Sequence, residues 1–89
     1  DRAIKKAIKQ DSELRFEYEK ENINLHIAAT INKLRTDAGL TQMQLAKKVG
    51  FSQPFIARLE NPRAEKKPNL ETFAKVLGAF DKRIRIEVV

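Results

Sequence analysis

The chain has no cysteine, three glycines, three prolines and one histidine among its 89 residues. Without cysteine there is no disulfide framework and no thiolate metal site, and nothing hints at secretion. So few glycines and prolines, beside 42% apolar residues, suit an ordered helical protein rather than a disordered one. No window approaches the roughly 18 apolar residues of a membrane span, and nothing at the start resembles a signal peptide. We therefore expect a soluble cytoplasmic protein with no membrane partner. A glycine-rich phosphate loop, a nucleophile elbow and zinc-ligand spacing are all missing. His26, with no second histidine to complete a metal site, reads as a solvent or packing residue. No catalytic residue, cofactor or metal is expected, so the chain is not read as an enzyme. It starts at Asp1 rather than Met, which implies residues upstream that were processed, cut or left out.

Charge is what the chain does have. The formal net charge is +6, and it is unevenly spread. Residues 1–40 carry eight basic and seven acidic side chains, whereas residues 41–89 carry ten and five. Within the first half, Arg2, Lys5, Lys6 and Lys9 precede an acidic run of Asp11, Glu13, Glu17, Glu19 and Glu21. A basic excess in the second half is the electrostatic footprint of a phosphate-backbone binder. The acidic stretch argues for a second surface with a different partner.

Helical spacing organises most of the chain. Ile4, Ala7 and Ile8 share one face of a short amphipathic segment, with lysines opposite. Asp11 and Ser12 can cap a second run to about Lys20, in which Leu14 and Tyr18 align and Phe16 points elsewhere. Asn22 to Asn24 reads as a break, with Asn24 as the next N-cap. Ile27, Ile31, Leu34 and Ala38 then recur at helical spacing before Gly39, where a helix end favours a left-handed residue.

The stretch from Thr41 to Glu60 is the most informative. Thr41 and Gln44 form a capping box, and Leu40 can staple onto Leu45. That helix buries Leu45, Ala46 and Val49, leaves Gln42, Lys47 and Lys48 outside, and ends at Gly50. Ser52 caps the next helix, Phe51 can staple onto Ile56, and Pro54 is tolerated in a first turn. Ile56 and Leu59 face the core; Gln53, Phe55 and Arg58 do not. Two short capped helices around a glycine turn, with polar side chains on the second, make the layout that reads duplex DNA in the major groove. Beyond it, Pro62 to Pro68 is a charged loop. Asn69 caps a fifth helix that turns Leu70, Phe73, Ala74 and Leu77 inward and ends near Gly78. In the tail Ile84, Ile86 and Val88 alternate with Arg83, Arg85 and Glu87, a strand pattern with no second strand in the chain. It predicts pairing with another polypeptide, either a second copy or a different protein.

Gln42, Leu45, Ala46, Val49, Gly50, Ser52, Gln53, Ile56 and the run Leu59, Glu60, Asn61 resemble the helix-turn-helix of phage repressors and Cro proteins, the Xre type. The arm from Asp11 to Glu19 and the C-terminal strand are similar to HigA-type antitoxins of bacterial toxin–antitoxin pairs. The resemblance implies an all-α fold: a five-helix, phage-repressor-like domain over 23–80, an N-terminal helical arm over 1–22 for partner binding, and a short β-strand within 81–89. It further implies that Gln42 clamps a phosphate, helped by helix N–H groups. Ser52, Gln53, Phe55 and Arg58 become base readers: Gln53 on adenine, Phe55 on a thymine methyl, Arg58 on guanine or on a phosphate. Where the family usually has glycine this chain has Pro62, and Arg63, Lys66 and Lys67 replace the backbone contacts so lost.

These observations favour an antitoxin that represses its own operon. As a homodimer it binds palindromic operator DNA and, through Ile4, Ile8, Leu14, Phe16 and Tyr18 of the arm, a cognate RNA-cleaving toxin. Ile84, Ile86 and Val88 supply the dimer or partner strand. Two other readings stand beside it: a stand-alone phage-type repressor whose arm folds onto its own domain, and a protein-interaction module that has lost DNA reading.

Overall fold

The computed structural model describes residues 2–65 and 68–89, with the side chains of residues 2–10 outside that description. Four helices are present among the described residues: α1 (Arg2–Asp37), α2 (Gln42–Val49), α3 (Gln53–Leu59) and α4 (Leu70–Gly78). The fold is all-helical, as expected, but the count differs. The arm and the first domain helix are one 36-residue helix, with no break at Asn22 to Asn24 and no second start at Asp11. The reason is local. No glycine or proline occurs before Gly39, and an asparagine inside a helix costs at most about 0.7 kcal/mol relative to alanine. Asn24 therefore sits mid-helix and half-buried rather than capping, with its Nδ2 left without a hydrogen-bond partner.

The other three helices begin where the sequence places their caps. Thr41 Oγ1 accepts from the Gln44 N–H at 3.0 Å, and Gln44 Oε1 accepts from the Thr41 N–H at 2.8 Å. Ser52 Oγ accepts from the Phe55 N–H at 3.3 Å, and Asn69 Oδ1 from the Thr72 N–H at 2.8 Å. Each cap satisfies a donor that the helix itself cannot. Thr41→Ala is expected to lower stability by about 0.5–2 kcal/mol, with Thr41→Ser close to wild type. Urea unfolding of the three proteins checks this.

The helix ends share one solution. Leu40 N–H donates to Arg35 O at 3.1 Å, Phe51 N–H to Ala46 O at 2.9 Å, and Lys82 N–H to Leu77 O at 3.0 Å. Each such bond needs a left-handed residue just before the donor. Gly39 (φ 72°) and Gly50 (φ 85°) provide it for α1 and α2, and Asp81 (φ 56°) does so after α4.

The core gathers one face of every helix: Ile27 and Ile31 from α1, Leu45 and Ala46 from α2, Ile56 and Leu59 from α3, and Val76 from α4. Ile31, Leu45, Ile56 and Val76 are fully enclosed, each contributing roughly 1.5–3 kcal/mol through burial. Two expected faces need correction. In α4 the inward set is Phe73, Val76, Leu77 and, just beyond, Phe80, while Leu70 and Ala74 are exposed. The helix has nine residues and docks through its C-terminal half. Phe55, read as outside the core, is half-buried and packs edge-on against Phe51 with ring centroids 4.9 Å apart.

The expected C-terminal strand is also absent: residues 82–89 have no regular secondary structure. A strand exists only through a ladder with another strand, and none is present among the described residues. Ile84 is instead half-buried, lining with Ile86 a cleft whose walls are Ile23 and Ile27 of α1 and Leu70 and Phe73 of α4. Val88 is exposed.

Candidate nucleic-acid interface

The turn between α2 and α3 brings the first residues of both helices together. Gln42 opens α2 and Gln53 opens α3, eleven positions apart in sequence. Gln53 Nε2 donates to Gln42 Oε1 at 2.8 Å, and both side chains are half-buried. This contact is made possible by Gly50, whose positive φ lets the chain reverse within three residues of Gln53.

Behind the pair lies the most enclosed charge of the described structure. Glu60, the C-cap of α3, has a side chain 5% exposed, and its partner Arg35 of α1 is 14% exposed. Arg35 Nε donates to Glu60 Oε2 at 2.7 Å and Arg35 Nη2 to Oε1 at 3.0 Å, a two-pronged match of guanidinium to carboxylate. Arg35 Nη1 also holds Leu40 O at 2.7 Å, and Asn32 Nδ2 reaches Glu60 Oε1 at 2.8 Å. Burial pushes the Glu60 carboxyl up. Donation from Arg35, Asn32 and Gln42, with the Arg35 charge, outweighs it and leaves the group below the ordinary glutamate range. The same bond to Glu60 raises Arg35. Glu60 thus stays ionised and ties the end of α3 to α1.

Around this frame the remaining site residues take distinct places. Ser52 is exposed with its Oγ engaged in the cap, so its own O–H remains to donate. Arg58 is exposed, with its guanidinium carbon 5.6 Å from the centre of the Phe55 ring, within range of cation–π attraction. Gln42, Gln53, Phe55 and Arg58 therefore sit on the α2–α3 unit. Arg63 is elsewhere: its side chain lines a shallow depression with Tyr18, Glu21, Asn22, Leu25 and Pro62, beside the acidic part of α1. Lys66 and Lys67 lie outside the described residues. Lys47 and Lys48 are exposed on α2, with Lys48 Nζ 5.5 Å from the centre of the Phe80 ring.

On the arm, Leu14, Phe16 and Tyr18 are 70%, 65% and 69% exposed, a run of large apolar groups with no cover. The side chains of Ile4 and Ile8 lie outside the described residues. Asn32, Arg35 and the enclosure of Glu60 were not singled out from sequence. The available signal was weak: a lone arginine in a helix whose partner lies 25 residues away.

Among the described residues no three His, Cys, Asp or Glu side chains cluster as metal ligands, and no helix is long and apolar enough to cross a membrane. Comparison with known proteins gives one family match: the helix-turn-helix model covers residues 31–86, well over half of the chain. It begins inside α1, at Ile31, and leaves the exposed arm outside. No curated protein and no solved structure matches.

Proposed function

We propose, from the premise that this chain belongs to the Xre/Cro-type helix-turn-helix family and so is a DNA-binding transcriptional regulator, that α3 enters the major groove with Gln53 as its adenine reader. The observation that carries this is the Gln53–Gln42 bond at 2.8 Å. It uses one N–H of Gln53 and leaves a second N–H and the amide oxygen, which suit adenine N7 and N6–H. It also occupies the oxygen of Gln42, leaving that side chain N–H groups that suit a phosphate. Arg58, braced on Phe55, supplies a second contact, to guanine or to phosphate, and Ser52 can donate beside them. Phe55, half-buried beside Arg58, is the candidate for contact with a thymine methyl. By sequence, Arg63, Lys66 and Lys67 add positive charge to the segment that follows α3.

Gln53→Ala is expected to weaken binding to a selected duplex by about 1–3 kcal/mol, roughly five- to 150-fold, and to relax preference at one base pair. Gel shift with duplexes selected from a randomised pool measures both. Unchanged affinity and preference would favour an interaction module that does not read DNA.

The finer reading is an autoregulating antitoxin. As a homodimer it would place two α3 helices on half-sites roughly 34 Å apart on a palindromic operator. The exposed Leu14, Phe16 and Tyr18, set among acidic residues, support a protein partner at the arm, one with basic character such as an RNA-cleaving toxin. Ile84, Ile86 and Val88 supply a strand that forms only in the dimer or the complex. Co-purification with the product of the neighbouring gene tests this reading. Recovery of the chain alone, with the arm protected from proteolysis, would favour a stand-alone repressor.

A further inference from the structure

Among the described residues no backbone–backbone hydrogen bond reaches past Lys82, whose N–H donates to Leu77 O at 3.0 Å. The backbone of the residues that follow is therefore open to a ladder with another strand. In an extended chain, residues two apart share a side. Arg85 and Glu87 do lie side by side, with Arg85 Nη2 donating to Glu87 Oε1 at 3.0 Å, and both side chains are exposed. Ile84 and Ile86 form the alternate set, and Ile84 is half-buried in the cleft against α1 and α4.

Directly opposed residues of an antiparallel pair also share a side, so their side chains meet. Two identical tails can therefore be compared register by register. With the two-fold axis through Ile86, Ile86 meets its own copy, Ile84 meets Val88, and Arg85 meets Glu87. The last two contacts occur twice each. An axis through Arg85 sets Arg85 against Arg85, one through Glu87 sets Glu87 against Glu87, and one through Ile84 sets Arg83 against Arg85. An axis through Val88 sets Glu87 against Val89, and an axis between residues turns an isoleucine onto the charged set. In a parallel, in-register pair every charge meets its own kind. Only the axis through Ile86 joins apolar to apolar and positive to negative.

We propose that the tail recognises a second copy of this chain, pairing antiparallel about Ile86, with the two Arg85–Glu87 contacts fixing register and partner choice. This rests on the reading above that the tail becomes a strand only in an assembly, and it commits that assembly to the homodimer. Arg85 and Glu87 exchange a neighbour in their own tail for one in the other. The apolar side of the two-stranded ribbon faces the cleft, where Ile23 and Leu70 are still exposed. The fit is isologous: one patch supplies both halves of the contact. A strand from a different protein would have to carry the same order of charges in reverse.

Arg85→Glu and Glu87→Arg test this, singly and mixed. Sedimentation equilibrium of the full chain measures the dimer dissociation constant, and circular dichroism verifies that the helices are intact. Alone, each variant sets like charges opposite one another twice and should dimerise about tenfold or more weakly than wild type. Mixed in equal amounts, the two variants oppose each charge to its opposite, and the heterodimer should return to within about threefold of the wild-type constant. The absence of cysteine gives a second arm. Ile86→Cys puts two thiols across the axis within disulfide reach and should oxidise to a covalent dimer about tenfold or more faster than Val88→Cys, whose thiols lie apart. A dimer unmoved by either charge reversal overturns the proposal and leaves a homodimer built elsewhere. Weakened variants that mixing does not rescue overturn it as well. A wild type that stays monomeric at every concentration overturns it too; capture of the neighbouring gene product by that monomer would then keep the strand for a complex, and absence of capture would overturn both readings.

Discussion

Glu60→Ala is expected to destabilise the fold by up to about 3–5 kcal/mol, because it leaves the largely enclosed Arg35 side chain without its counter-charge. A domain of this size has roughly 5–15 kcal/mol of stability in all, and each kcal/mol shifts Tm by about 4–8 °C. Thermal unfolding followed by circular dichroism should therefore show Tm lower by roughly 12 °C or more. A fall of only a few degrees would mean that solvent reaches Arg35 far more freely than its 14% exposure implies. The effect has a pH signature. Glu60 is held below its ordinary range in the folded chain, so its contribution is complete above that range and is lost as pH falls through the depressed folded value. Acidification from neutral pH should cost wild type more stability than Glu60→Gln, which has no proton to take up there. Arg35 works in the opposite sense. Raised in the fold, it contributes fully below its unfolded value and loses that contribution only at strongly alkaline pH.

The second large effect belongs to Leu45, which is fully enclosed where α2 meets the other helices. Leu45→Ala removes buried methyl groups and leaves a cavity that the surrounding helices close only in part. The expected loss is about 2–5 kcal/mol. Ile31→Val, a smaller deletion in the same core, should cost about 0.5–1.5 kcal/mol. Urea unfolding of the two variants gives the ordering, and equal losses would argue that the core relaxes around either change. Because α2 and α3 carry Gln42 and Gln53, Leu45→Ala should also weaken DNA binding through the unfolded fraction. Excess duplex should restore it, since a ligand that binds only the folded chain stabilises it.

Much of the α2–α3 unit was legible in the sequence because its signals are local. Thr41, Gln44, Ser52 and Asn69 act on backbone groups three residues away, and Gly39 and Gly50 mark helix ends by their own conformational freedom. What was illegible is non-local. Nothing in the neighbourhood of Arg35 announces Glu60, and nothing near Gln42 announces Gln53; the fold brings them together over 25 and eleven positions. Val76 was overlooked because Leu70 and Ala74 fit the same helical period, and only the docking of α4 decides which end of the stripe is covered. Asn22 and Asn24 were misread for the converse reason. Asparagine is a good cap, but a helix already under way has no need to stop for one. The tail's alternation is a pattern that a partner strand would have to realise.

The absence of a break in α1 has a mechanical consequence. From Tyr18 to Arg35 the backbone ladder runs uninterrupted, about 25 Å at 1.5 Å per residue. An arm on a flexible tether could swing to meet whatever it binds and leave the rest of the chain undisturbed. This arm is the outer end of a rod whose inner end carries Asn32 and Arg35, the groups that grip Glu60. A lateral load applied at Leu14 or Tyr18 is resisted by bending of that rod and by its seating in the core. What seizes the arm therefore pulls on the foundation of α3, and what seats α3 fixes the direction in which the arm points.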